Sequence, residues 1–213
     1  MFVIIHNIMN QYYEKDKLEV GIDEAGRGCL LGPVCVGAVI MNDITLLDPP
    51  YEIRDSKKVP PEKRAILRTY IEENAIACNV QMISSERIDK VNILEATMEG
   101  MEKCLDNITS VINIDKILVD GTHFHIYMDK NTLEPISHIC IVGGDDKYLN
   151  IAAASILAKE YHDEYIRNLC RDYPDMNKYD LLNNKGYGTK THMDALKEFG
   201  PSIHHRKSFK PCQ

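Results

Sequence analysis

Four carboxylates fall where apolar, strand-like runs end. Asp23 and Glu24 close Leu18–Glu24 (LEVGIDE), Asp120 closes Lys116–Asp120 (KILVD), and Asp145 follows His138–Val142 (HICIV) across a Gly-Gly pair. If those strands lie side by side and end together, the four side chains converge at one sheet edge. Like charges about 4 Å apart repel by roughly 4 kcal/mol at an effective dielectric near 20. Such a cluster must take up protons or bind cations. Hard oxygen ligands without His or Cys favour Mg²⁺ or Mn²⁺ over zinc. Two such ions, about 3.5–4 Å apart, are the usual apparatus for cutting phosphodiesters. The plainer alternative is that strand-end acids are common because loops are polar. Adjacent residues of a strand also face opposite sides, so Asp23 and Glu24 share a site only if the strand ends or bends there. The Ala-Gly-Arg-Gly that follows permits this.

The elements that would position these groups are legible in outline. Leu18–Glu24 and the β-branched run Pro33–Met41 read as adjacent strands. Residues 42–59 read as a polar loop. Pro60-Pro61 suits a helix entrance, and EKRAILRTYIEENAIA places Ile66, Tyr70 and Ala77 along one expected apolar stripe. A strand is expected over Asn79–Ile83. Asn92 with Glu95 three residues later reads as a capping box opening a helix to about Asn107. Residues 149–170 form the strongest helix candidate, and Thr189–Phe199 a last short helix stopped by Gly200 and Pro201. Strands first, then helices interleaved with strands, predict an α/β fold with a mixed sheet and helices packed on it.

Composition narrows the class. The 213 residues suffice for one domain with its own core. Hydrophobic and charged fractions of 44% and 27% exclude a disordered or collagen-like chain. No apolar run is long enough for a membrane span, and the start has neither a basic region nor a long enough apolar run for a secretory signal. Seven irregularly spaced cysteines without a Cys-x-x-Cys imply neither a disulfide framework nor a zinc site, and suit a reducing compartment, the cytoplasm. The net charge of −7 argues against a nucleic-acid binder, but residues 185–213 carry a net +4. That basic end is either a solvated tail or a phosphate-binding surface.

Five segments, in order, carry a resemblance: GIDEAGRGCLLGPVCVGAV (21–39), DSKK (55–58), VDG (119–121), GDDKYLNIAAASILAK (144–159) and NKGYGTKTHMDALKEFGPSIHHRKSF (184–209). Together they resemble type 2 ribonuclease H, ribonuclease HII. The GRG form of the glycine turn is similar to that family rather than to the related HIII type. The resemblance implies a ribonuclease H-like fold, a mixed five-stranded sheet flanked by helices with a helical C-terminal extension. On that basis residues 18–180 are the expected catalytic domain, 181–213 the substrate-binding extension, and 1–17 an N-terminal extension of uncertain structure. It implies hydrolysis of RNA in RNA–DNA hybrids and incision 5′ of single ribonucleotides in duplex DNA, leaving 3′-hydroxyl and 5′-phosphate ends. It further implies a two-ion cofactor of Mg²⁺ or Mn²⁺ on Asp23, Glu24, Asp120 and Asp145. A monomer, with no membrane partner, is expected.

In the family the GRG turn, here Gly26, Arg27 and Gly28, contacts the ribose, and the tyrosine matching Tyr187 packs on the next deoxyribose. The 2′-hydroxyl alone separates the two sugars. Lys57 and Lys58 lie in a loop that can meet phosphate. Lys185, His205, Arg206, Lys207 and Ser208 of the basic tail are expected to add phosphate contacts. Several positions depart from the family pattern: Cys29 for a common proline, Asp146 and Tyr148 after the carboxylate, His162-Asp163 for Arg-Asp, and Asn184 for a frequent histidine. Two other readings stay open. Another nuclease or nucleotidyl transferase of the same fold would share the carboxylates but not GRG or Lys-Gly-Tyr. A catalytically dead hybrid-binding module would share the surface but not the turnover.

Overall fold

In the computed structural model, which describes residues 9–43 and 47–213, strands β1 (Glu19–Ala25), β2 (Val34–Met41), β3 (Ala75–Ile83), β4 (Lys116–Asp120), β5 (Tyr127–Met128) and β6 (Pro135–Ile141) form one sheet. Their spatial order is β3-β2-β1-β4-β6-β5. The β1–β2, β2–β3 and β5–β6 pairs are antiparallel; β1–β4 and β4–β6 are parallel. The sheet is mixed, as the strand pattern implies, but has six strands rather than five. The extra one, β5, is a two-residue strand at the edge, too short to register as an alternating pattern.

Side-chain alternation splits the sheet into two packed faces. Val20, Ile22, Val36, Ala38 and Ile40 meet Met98, Met101, Leu105 and Ile108 of helix α3 (Ile93–Thr109). The short α2 (Ser85–Val91) precedes it. Asn92 caps α3, its side chain accepting from the backbone N–H of Leu94 and Glu95, at the cost of a left-handed φ of 72°. On the opposite face, Val39 and Met41 meet Leu67 and Ile71 of α1 (Pro61–Asn74) and the alanine run 152–154 of α4 (Leu149–Asp172). Each fully buried leucine or isoleucine contributes about 2 kcal/mol.

The expected stripe on α1 is corrected. Arg64, Leu67 and Ile71 face inward, while Ile66 is 48% exposed and Ala77 lies in β3. The helix stops at Asn74 because residues 75–83 complete the ladder along β2; sheet pairing outweighs the helical propensity of Asn-Ala-Ile-Ala.

Helix α4 lies unusually near the sheet. A Cβ on Gly21 would come within 2.2 Å of the Asn150 carbonyl carbon, so only glycine admits this approach. Asn150 fixes the register, accepting from Met41 N–H (2.9 Å) and donating to Glu19 C=O (2.6 Å). Its neighbour Tyr148 packs on Tyr13 at 5.9 Å and bridges Asn10, which ties residues 10–13 to the α4 entrance. Residues 1–8 of the N-terminal extension lie outside the described residues. The last elements, α5 (Leu181–Asn184) and α6 (Lys190–Phe199), share a third cluster with Leu30, Leu31, Ile166 and Leu169. The C-terminal segment is thereby packed against the β1–β2 connection. No helix among the described residues is long and apolar enough to cross a membrane.

Candidate active site

The pairing of β1 with β4 stops at Ile22↔Val119. Asp23 and Glu24 lie one and two residues past that ladder, still paired to β2 on the other side. Asp120 ends β4. Asp145 sits in a 3-10 turn (Gly144–Asp146), entered through left-handed Gly143. The turn is pinned to its neighbour, since the Gly144 N–H donates to Asp120 Oδ1 at 2.7 Å. Asp23, Asp120 and Asp145 offer oxygens that all lie within 4.8 Å of one another. Glu24 is outside that triplet. It lines the same cavity as Asp23 and pairs with Arg27 at 3.2 Å.

Asp23 and Asp145 are each only 6% exposed. Among the described residues neither they nor Asp120 forms an ion pair with Lys, Arg or His. Burial, then Glu24 and Asp120, push the Asp23 carboxyl well above its ordinary range. Burial, followed by Asp120 and Asp55, lifts Asp145 to about 6. Glu24 is raised chiefly by burial against the opposing pull of Arg27. Three close carboxylates, two of them buried and none in an ion pair, fit a hard divalent cation, and the donor set contains oxygen alone. Protons and metal must compete for these oxygens. Mn²⁺ affinity measured by titration calorimetry is therefore expected to fall at least tenfold between about pH 7.5 and 5.5, as Asp145, raised to about 6, protonates. A pH-independent affinity would refute a carboxylate-held ion.

Beside the triplet opens a cavity of 330 Å³ lined by Asp23, Glu24, Ser56, Lys57, Ser155, Lys159 and Tyr187. Tyr187 is 39% exposed, and its ring edge stands about a van der Waals contact from where a Cβ on Gly28 would lie, 3.8 Å. Left-handed Gly26 (φ 79°) carries the turn past His162, whose ring would be 2.4 Å from a Cβ there. Arg27 is exposed and held on Glu24.

Lys57 reaches the cavity because Arg64 secures its loop. The buried Arg64 guanidinium donates to the carbonyls of Ser56 and Val59 and to the carboxylates of Glu160 (2.6 Å) and Asp163 (3.1 Å). Lys58 turns away to Asp146 at 2.5 Å, so one departure from the family pattern is its ion-pair partner. Two others touch each other, Cys29 Sγ lying 3.6 Å from His162 Nε2. Burial lifts the Cys29 thiol to about 12 and lowers His162, which makes this a packed contact rather than a reactive pair. Asn184 is buried, donating to Tyr179 C=O and accepting from Gly186 N–H, so it braces the turn that carries Tyr187.

Two expected phosphate contacts in the basic tail are corrected, those of Arg206 and His205. Arg206 is 0% exposed and donates to the carbonyls of Gly26, Arg27, Gly32 and Pro33 at 2.8–3.0 Å. With four of its five N–H groups engaged inside the protein, it braces the GRG turn instead of meeting solvent. His205 is buried as well. Ser208 Oγ donates to Asp89 at 2.6 Å, and the same carboxylate accepts from the N–H groups of Lys207 and Ser208. Lys185 is half-buried, with Nζ on Leu182 C=O at 2.5 Å. Conversely, Ser56, Ser155 and Lys159 line the cavity without having been singled out as site residues. Ser155 and Lys159 stand four apart on α4, one helical face, and that spacing was the available signal. Ser155 Oγ donates to the Ser56 hydroxyl at 2.9 Å, beside Asp23 in the cavity lining. No histidine among the described residues pairs with it, so it has no base there to make it a nucleophile.

The fold and its carboxylate centre define a hydrolase of the ribonuclease H class. The sequence model of the family described as ribonuclease HII matches residues 20–212. The chain belongs to the ribonuclease HII family. It is 42% identical over 198 residues to ribonuclease HII of Parabacteroides distasonis, covering 93% of this chain and 92% of that one. It is 44% identical to ribonuclease HII of Chlamydia muridarum, covering 91% and 82%. The fold is similar to that of ribonuclease H2 from Pyrococcus horikoshii, with a TM-score of 0.71 at 24% identity over 91% and 94% of the two chains.

Proposed function

We propose that this protein hydrolyses the RNA strand of RNA–DNA hybrids and incises on the 5′ side of single ribonucleotides in duplex DNA, leaving 3′-hydroxyl and 5′-phosphate ends. The observation that carries this reading is the convergence of Asp23, Asp120 and Asp145 within 4.8 Å, beside a cavity shared with Tyr187. Asp23, Asp120 and Asp145 would hold the cofactor, two Mg²⁺ or Mn²⁺ ions, with Glu24 completing the site. When bound, those ions supply Lewis-acid assistance to the attacking water and to the departing 3′-oxygen. The chain's own residues bind and orient. Lys57 and Lys159 bring positive charge to the cavity wall, where a phosphate of the scissile strand would sit. The GRG turn offers bare backbone to the ribose, and the Tyr187 ring meets the following sugar, where a second 2′-hydroxyl would clash or go unpaired. In this reading the enzyme acts as a monomer. Seven free cysteines suit the cytoplasm.

The test is cleavage of a DNA duplex carrying one ribonucleotide, with Mg²⁺, with Mn²⁺ and with EDTA. Incision 5′ of the ribonucleotide, abolished by EDTA, is the expected result. Hybrid binding without cleavage in either metal would leave a binding module in place of an enzyme.

A further inference from the structure

Two buried histidines that no step above uses form a hydrogen-bonded chain ending on Tyr187. His192, on α6, and His205 are 0% and 1% exposed. His205 Nδ1 lies 2.9 Å from the Ser202 backbone nitrogen, which can only donate, and 2.8 Å from the Ser202 hydroxyl, which can donate alongside it. His205 Nδ1 is therefore an acceptor, and its proton resides on Nε2. That Nε2 stands 3.0 Å from His192 Nε2, which must accept. The His192 proton is then on Nδ1, 3.0 Å from the Tyr187 carbonyl. Every assignment follows from the one fixed donor at Ser202. The direction is single: Ser202 N–H to His205, His205 to His192, His192 to Tyr187 C=O.

The surroundings keep the chain neutral. The Tyr179 ring covers both imidazoles, at 4.7 Å from His205 and 5.9 Å from His192. Of the other charged or titratable groups, Asp180 acts on His192 and His204 on His205. Burial lowers both imidazoles, His205 to about 4. A second proton on His192 Nε2 would face the His205 Nε2–H across the 3.0 Å contact, and one on His205 Nδ1 would face the Ser202 N–H. Next to His205, Arg206 holds four carbonyls of the GRG connection, as described above. One dipeptide thus braces both sides of the cavity, the GRG turn through Arg206 and the Tyr187 turn through His205 and His192.

We propose that His192 and His205 are positioning residues for substrate discrimination: their fixed tautomers hold the Tyr187 turn at the depth where its ring reads the sugar following the ribonucleotide. The discrimination half of this rests on the function proposed above; the hydrogen-bond chain does not. The test therefore has two independent arms. In the first, histidine is labelled with nitrogen-15 and the wild-type protein is read by NMR near pH 7, where His205 is expected as the Nε2–H tautomer and His192 as the Nδ1–H tautomer. The reverse tautomers, or a charged ring, overturn the chain whatever the enzyme cuts.

In the second arm, kcat/KM is compared on a single-ribonucleotide duplex and on a long hybrid. Tyr187→Ala, which removes the ring, is expected to lower activity on the single ribonucleotide more than on the long hybrid; His192→Leu removes both hydrogen bonds and is expected to lower the preference for the single ribonucleotide about fivefold, in the same direction. His192→Asn, which keeps an N–H donor near the Nδ1 position, is expected to recover at least half of that loss on a logarithmic scale. Should the leucine variant not fold, the asparagine variant is read alone against Tyr187→Ala, and a preference as low as that of Tyr187→Ala refutes positioning. Equal losses on both substrates, or no rescue by asparagine, refute it as well. A wild type that cuts neither substrate overturns the proposed function and the discrimination role together, and leaves the tautomers to decide the chain.

Discussion

Asp120→Asn is expected to abolish cleavage, by about 1,000-fold or more, equivalent to roughly 4 kcal/mol of transition-state stabilisation, while keeping the fold. The asparagine Oδ1 can still accept from the Gly144 N–H, the bond that pins the Asp145 turn. What disappears is one negative charge among three oxygens within 4.8 Å. The metal-free variant should therefore be at least as stable as the wild type. The sign follows from linkage. Asp23 and Asp145 have carboxyls raised in the folded state, so the folded protein holds more protons than the unfolded chain between about pH 4 and 6. Their contribution is most favourable below the unfolded value near 3.8 and is lost as pH rises through the folded one, about 6 for Asp145. In EDTA, thermal unfolding of the wild type should show that loss. The variant, lacking the Asp120 charge that raises both neighbours, should show a shallower one. Mn²⁺ should restore stability to the wild type and much less to the variant. An active variant, or one destabilised in EDTA at neutral pH, would contradict the assignment.

Arg206→Met is expected to cost about 3–5 kcal/mol of stability in urea unfolding. The guanidinium is fully buried and its hydrogen bonds go to the carbonyls of Gly26, Arg27, Gly32 and Pro33. Removing it strands the carbonyls of Arg27, Gly32 and Pro33, each worth about 1–3 kcal/mol if left unsatisfied and dry, while Gly26 C=O keeps the Cys29 N–H; relaxation recovers part of the loss. Lysine does not substitute, because a point charge with three donors cannot span a planar fork of carbonyls. Arg206→Lys should lose about 2 kcal/mol or more by the same reasoning. Both variants should also expose the GRG connection to proteolysis ahead of global unfolding. A surface phosphate contact would behave differently: its loss would leave stability unchanged and flatten the salt dependence of binding by about one unit of log-log slope. Near-wild-type stability in Arg206→Met would return the residue to that role.

Local pattern determined a great deal about this protein. The apolar runs of β1, β2, β4 and β6 stand out because buried strands need continuous apolar side chains, and acids at their ends stand out against them. Asn92, Thr189 and Gly200 mark helix ends because capping is a matter of the few residues on either side. The segments from GRG to Lys-Gly-Tyr identify the family for the same reason: each is a local arrangement whose chemistry does not depend on knowing its distant neighbours.

Tertiary structure decided the rest. Helix α1 ends at Asn74 because β2 has a free edge for residues 75–83, and no local preference in Asn-Ala-Ile-Ala announces it. Its inward face includes Arg64, a charge made tolerable by Glu160 and Asp163 nearly a hundred residues away. Glu24, beside Asp23 in the chain, stands apart from the metal-binding triplet because strand neighbours diverge and Arg27 claims it. Arg206 and His205 read as a solvated basic tail until the partners that enclose them are known. For Arg206 those are carbonyls 173–180 positions earlier in the chain. The physical reason is one of range: periodicity and capping act over a few residues, whereas whether a charged or titratable side chain faces water or a buried cage depends on which remote backbone the fold brings against it.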